Sequence, residues 1–262
     1  MARRIVVTSG KGGVGKTTLT VNLGYALASM GLGVILIDTD FGLNNLDVVL
    51  GVENKVSFDI TDVIEGRCRL KQAIVQTEKR KNLHVLSSSK ADNFGNINGQ
   101  NIKLIIQDLD AFYDYILIDC PAGIDIGFHR AVSCADEAIV VATPNFTSLR
   151  DADKVITVLK SYCLDSVSLV VNRVRGDLIM SEKMMYPDDV QRLLKTELIG
   201  VLPEEDAVFL SSGYSLPTRS DSAKAYKILA NNIHKKQRKI FDTTCKYSGF
   251  FGSIRRNIKK SI

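Results

Sequence analysis

Thr8-Ser9-Gly10-Lys11-Gly12-Gly13-Val14-Gly15-Lys16-Thr17-Thr18 decides how the rest of the chain is read. The apolar run Arg4-Ile-Val-Val7 precedes it and a helical pattern follows it, so a strand enters a glycine turn that opens a helix. The spacing Gly10-x4-Gly15-Lys16-Thr17 is that of a phosphate loop, and strand, turn and helix are its proper context. Gly10, Gly12, Gly13 and Gly15 can take φ > 0, so successive N–H groups, including those of Val14 and Thr18, can line one concavity at a helix N-terminus. Lys16 would reach the β- and γ-phosphates of a nucleotide, and Thr17 would hold Mg²⁺.

Outward from the loop, apolar β-branched runs alternate with helical patterns. Strands are expected at residues 3–8, 33–38, 82–87, 114–119, 136–142, 167–172 and 198–202. Near-continuous apolar runs such as Tyr115-Ile-Leu-Ile-Asp119 suit strands covered on both faces. The fold class is therefore α/β, a doubly wound, mostly parallel sheet of the P-loop NTPase type with a C-terminal amphipathic helix. Residues 57–75 read as short helices with Ser57 as an N-cap, and residues 221–240 as a closing helix. The expected division is a P-loop domain over 1–240, then a linker and amphipathic helix over 241–262.

The chain of 262 residues, 45% hydrophobic and 24% charged, fits one α/β domain. It holds no apolar run approaching the length of a bilayer span, and no leader is expected before the first strand. The five cysteines are scattered without a C-x-x-C, which argues for free thiols and against an iron-sulfur or zinc site. Charge is unevenly placed. From residue 235 onward there are nine Lys/Arg against one Asp, whereas residues 1–234 carry 25 Lys/Arg against 28 Asp/Glu. A mildly acidic body ending in a basic tail points to an acidic surface, either membrane or nucleic acid.

Lys11 exceeds what a phosphate loop needs, and Gly-Lys-Gly-Gly-Val-Gly-Lys-Thr-Thr resembles the deviant loop of the MinD/ParA family of P-loop ATPases. The resemblance implies that Lys11 acts in trans across an ATP-bound homodimer. Asp38-Thr-Asp40 resembles the start of the family's switch I, which makes Asp40 the residue that positions the attacking water and Asp38 a support of the Mg²⁺ shell. Asp119-Cys-Pro-Ala-Gly123 resembles its D-x-P-A-G, with Asp119 on the metal side and Pro121 to Gly123 as switch II. Ser148-Leu-Arg-Asp151 matches the start of an interface helix, with Asp151 facing the second copy; as plain structure, Thr147 or Ser148 is an N-cap. Asn172 and Pro203 would flank the adenine. The family usually carries Arg where Asn44 stands and Glu where Asn145 stands.

Tyr247, Phe250, Phe251, Ile254 and Ile258 recur at i, i+3, i+4, i+7 and i+11, and basic residues lie mostly on the flanks and opposite side. This reads as an interfacial amphipathic helix, too short to span a bilayer. Packing on the body and DNA binding are the other readings; core helices are seldom so basic, and DNA-binding tails seldom pair phenylalanines in an apolar stripe. Such a tail resembles the MinD branch of the family. That branch implies an ATP-hydrolysing switch for division-site placement, with a MinC-like inhibitor, a MinE-like activator, an anionic membrane surface and no nucleic acid. It would sit in the cytoplasm and on the inner membrane's cytoplasmic face of a bacterium, or in the stroma and on the inner envelope of a plastid. The alternatives are a ParA-type DNA-partitioning ATPase and a nucleotide-gated scaffold with negligible turnover.

Overall fold

The computed structural model describes residues 1–41, 45–88, 98–210, 216–217 and 219–248. Among these, one sheet contains β1 (Arg3–Thr8), β2 (Val34–Asp38), β3 (Ile74–Gln76), β4 (Leu83–Leu86), β5 (Tyr115–Asp119), β6 (Glu137–Ala142), β7 (Ser166–Val174) and β8 (Glu197–Pro203). Their order is β3-β4-β2-β5-β1-β6-β7-β8. All pairs are parallel except the edge pair β3–β4. The helices are α1 (Lys16–Ala28), α2 (Leu46–Leu50), α3 (Ile60–Ile64), α4 (Leu70–Ala73), α5 (Gly99–Leu109) and α6 (Ile126–Val132). They continue with α7 (Phe146–Leu159), α8 (Gly176–Ile179), α9 (Pro187–Leu194), α10 (Asp206–Leu210) and α11 (Asp221–Lys235).

Alternate residues of each strand feed opposite cores. Val6, Ile35, Ile37, Ile116 and Ile118 pack with α3, α5, α6, α7 and α9. Ile5, Val7, Val34, Leu36 and Leu117 pack with α1, α2 and α11. Period-two alternation thus becomes two apolar layers around a dry sheet, each fully buried aliphatic side chain adding about 1.5–3 kcal/mol.

Three local expectations change. Ile74-Val-Gln76, expected at the end of a helical stretch, forms edge strand β3, because Val75 pairs with Val85 and three residues are too few to display a period. The N-cap before α3 is Asp59, not Ser57: its carboxylate accepts from Thr61 N at 2.7 Å, and the Asp62 carboxylate accepts in turn from Asp59 N at 2.9 Å. The closing helix stops at Lys235 because Lys236 turns left-handed, with φ 52°. Asn232 then ties the departing chain, its Nδ2 donating to Ile199 O at 2.9 Å and Lys239 O at 2.6 Å. Residues 240–248 stay on the body, with Thr243 and Tyr247 buried. No helix among the described residues is long and apolar enough to cross a membrane.

Candidate functional site

The phosphate loop leaves the carboxyl end of central strand β1 and closes on α1. Gly13 and Gly15 adopt φ of 76° and 99°, and Gly15 is the N-cap of α1. Gly10 and Gly12 do not take positive φ. Gly10 is needed for closeness, since a Cβ there would stand 2.1 Å from the carbonyl oxygen of Asp151 on α7. Val14 and Lys16 are buried, Thr17 and Thr18 half-buried, and Lys11 is exposed at the tip. Ser9 Oγ donates to Lys11 O at 2.8 Å and so holds that tip.

Beside the loop, parallel register sets Asp38 opposite Asp119. Thr17 Oγ1 donates to Asp119 Oδ2 at 2.6 Å, and Thr20 Oγ1 lies 3.2 Å from Asp119 Oδ1. Asp38 Oδ1 accepts from Asp40 N at 2.8 Å, while Oδ2 accepts from Leu46 N at 3.2 Å. Asp38 thereby holds both ends of the segment it opens. Burial, then the charge of Asp119, pushes the Asp38 carboxyl up to about 8. Burial raises Asp119 to about 6, against the Thr17 hydrogen bond and the Lys16 charge. Burial also raises Asp40, again opposed by Lys16.

Two buried carboxylates short of positive charge are what a hard divalent cation relieves. Thr17, Asp38 and Asp119 offer only oxygen, the donor set of Mg²⁺, which usually takes one or two carboxylates and completes its shell with phosphates and water. No group of three or more His, Cys, Asp or Glu side chains among the described residues forms a fuller cage. The residues present fit a Mg²⁺ ion that arrives with a nucleotide.

On the other side of α1, Gly15, Thr18, Asn172, Arg173, Leu202, Pro203, Glu204, Glu205, Val208 and Tyr226 line a cavity of about 370 Å³. Asn172 and Pro203 both line it. Asn172 also braces the phosphate loop, because its Nδ2 donates to Val14 O at 2.8 Å and leaves no room for a Cβ at Gly15. Thr20, Arg173 and Glu205 were missed by sequence reading. Thr20 was findable, being one turn from Thr17 on the same face of α1; Arg173, left-handed at φ 55°, had no sequence signal.

Two further expectations are corrected. Asn145, rather than Thr147 or Ser148, caps α7, its Oδ1 accepting from Ser148 N at 2.9 Å. Tyr247, expected on an apolar stripe facing lipid, is 5% exposed and packs against Gly176. Asp151 is partly exposed and within 3.4 Å of Lys154. Asn44, Phe250, Phe251, Ile254 and Ile258 lie outside the described residues.

A glycine loop at the carboxyl end of a central parallel strand, a lysine and threonine opening the next helix, and an aspartate on the adjacent strand define a P-loop nucleotide-binding protein. Residues 2–167 match the family model described as an AAA domain. A chain of Oltmannsiellopsis viridis described as a septum site-determining protein MinD is 45% identical over 255 residues, 95% of this chain and 81% of that one. The MinC:MinD cell division protein complex of Aquifex aeolicus superposes with TM-score 0.83 at 39% identity, covering 90% of this chain and 97% of that one. The Mg-ADP complex of the septum site-determining protein MinD from Pyrococcus horikoshii gives 0.81 at 33% identity, covering 90% and 97%. The chain belongs to the MinD family of septum site-determining P-loop ATPases.

Proposed function

We propose that this member of the family is an ATP-dependent membrane switch in which two copies close over nucleotide and each lends Lys11 to the other's phosphates. The observation that carries the proposal is Lys11 itself, exposed at the loop tip and in no ion pair among the described residues. Ile126 and Phe146, 69% and 79% exposed at the same end of the sheet, support a second copy covering this face. Gly10 to Thr18 wrap the phosphates, and Asn172 and Pro203 flank the base. Thr17, Asp38 and Asp119 hold Mg²⁺, which supplies charge neutralisation at the transferring phosphoryl group. Lys16, buried beside Asp40 and Asp119, adds fixed positive charge. Asp40 positions the attacking water, and Asp151 faces the second copy.

The apolar residues Phe250, Phe251, Ile254 and Ile258 form the lipid anchor. One such anchor holds weakly, with about 1 kcal/mol added per basic residue near an anionic surface. Joining two makes the second insertion intramolecular and raises avidity about a hundredfold or more. Nucleotide state thereby sets membrane residence. The similarity to a MinC:MinD complex supports a MinC-like inhibitor as the recruited partner. A MinE-like activator completes the cycle. The protein works between the cytoplasm and the inner membrane of a bacterium, or between stroma and inner envelope of a plastid.

Cosedimentation with anionic liposomes tests the proposal. ATP should carry the protein down with lipid and ADP should leave it in solution, and Phe251→Glu should abolish sedimentation while soluble ATP binding persists. Equal sedimentation with either nucleotide overturns the switch, and ATP-dependent retention on DNA in place of lipid favours a partitioning ATPase.

A further inference from the structure

The wall of the base cavity and the root of the C-terminal segment share one loop. Pro203, Glu204 and Glu205 line the cavity beside Asn172. Pro203 and Glu204 also border, from behind, the cleft in which Thr243, Lys246 and Tyr247 lie.

That loop is held by α11. Glu205 accepts from Ser222 N at 2.8 Å and from Asp221 N at 3.4 Å, so its carboxylate sits on the positive end of the helix. Asp221 in turn accepts from Lys246 Nζ at 2.8 Å and from Lys224 Nζ at 3.0 Å. The Lys246 hydrogen bond is the leading reason that the Asp221 carboxyl lies below its ordinary range. Lys246 Nζ stands 5.5 Å from the centre of the Tyr247 ring. Gly176 lets this root lie flat: a Cβ there would come within 1.9 Å of Thr243 O and 3.0 Å of the Tyr247 ring. Contact is continuous from the base cavity through Glu205, the start of α11 and Asp221 to Lys246 and Tyr247.

We propose that Lys246 is a positioning residue for adenine-nucleotide binding, because the root of the tail braces the Pro203–Glu205 wall from behind through Asp221. The inference rests on reading the 370 Å³ cavity as the nucleobase site. Such coupling is reciprocal: a base that tightens the wall tightens the root by the same factor, and a loosened root weakens nucleotide binding. It operates in a single copy, without lipid and without a second subunit.

The test uses the full chain without lipid and measures binding of ADP, GDP and inorganic tripolyphosphate. Lys246→Ala should weaken ADP about two- to fivefold, the reach of a half-exposed ion pair. Lys246→Ala with Tyr247→Ser should weaken it about tenfold. Tripolyphosphate should bind unchanged, and Lys224→Ala, which removes the Asp221 partner that does not reach the root, should behave as the parent protein. Saturating ADP should slow hydrogen exchange at the Tyr247 amide, which donates to Thr244 O at 2.8 Å, and should lose that effect in Lys246→Ala. Unchanged ADP affinity in both variants, with exchange indifferent to ADP, overturns the brace. Equal affinity of the parent protein for ADP, GDP and tripolyphosphate, which differ in their base or lack one, overturns the base-site reading itself, so the two failures are distinguishable.

Discussion

The two ends of the central strands bury charge in opposite ways. At the amino ends Arg3 grips Glu137 through two bonds of 2.7 Å and reaches Tyr115 Oη at 3.1 Å, while Arg4 pairs with Asp110. At the carboxyl ends Asp38 and Asp119 face each other with Lys16 as the nearby cation. The amino end also holds the larger hollow, about 980 Å³, lined by Arg3, Tyr115, Glu137 and Glu197 among others. Size is a poor guide here. The hollow's central charges are already matched, so it has little to gain from a ligand, whereas the acidic end gains a great deal from a cation and phosphate. One end is finished by folding and the other is finished by binding.

The comparison breaks most visibly at Lys16. Lys16→Ala should cost about a hundredfold or more in ATP affinity, as removal of a buried charge pairing with phosphate does. Isothermal titration of the folded variant measures it, and retained affinity removes the phosphate-loop assignment. The opposite end should answer differently. Glu137→Ala leaves the half-buried Arg3 without its bidentate partner, for a loss of about 1–2 kcal/mol after allowing for Arg3 being a third open to water. Chemical denaturation should register that loss while nucleotide affinity per folded molecule stays at the parent value.

Most of the acidic end was legible in the chain because its chemistry is local in sequence. The loop needs its glycines and Lys16-Thr17 consecutively, and each aspartate ends an apolar run, so strand and carboxylate are read together. The second use of each group was not legible. Asn172 holding Val14 O, Asp38 bracketing Asp40 and Leu46, and Gly10 making room for Asp151 all join residues distant in the chain or set by backbone path. The tail shows the limit of periodicity. Its spacing put Tyr247 on the same stripe as the later phenylalanines, but a stripe says only that a residue seeks an apolar surface. For Tyr247 the nearest surface is the protein's own, opened by Gly176.

The smallest effect separates the two ends by the sign of their pH dependence. Burial pushes Glu137 up, but the Arg3 hydrogen bond and charge together bring it below its ordinary value. The folded state therefore sheds this proton more readily than the unfolded chain, and the stability it contributes is present above the unfolded value and lost as pH falls through the folded one. Asp38 and Asp119 run the other way. Raised to about 8 and about 6, they keep protons in the folded state that the unfolded chain releases near pH 4. Without Mg²⁺ or nucleotide, stability from this pair should decline as pH rises from about 4 to about 8. Asp38→Asn should flatten that decline, and Mg-ADP should offset it increasingly toward pH 8, because the ion binds the deprotonated carboxylates. Thermal unfolding at pH 5, 6.5 and 8, with and without Mg-ADP, measures both slopes. A nucleotide-free midpoint that rises across this range in the parent protein, and equally in Asp38→Asn, would mean that the facing carboxylates already have a partner and that the acidic end is as complete as the amino end.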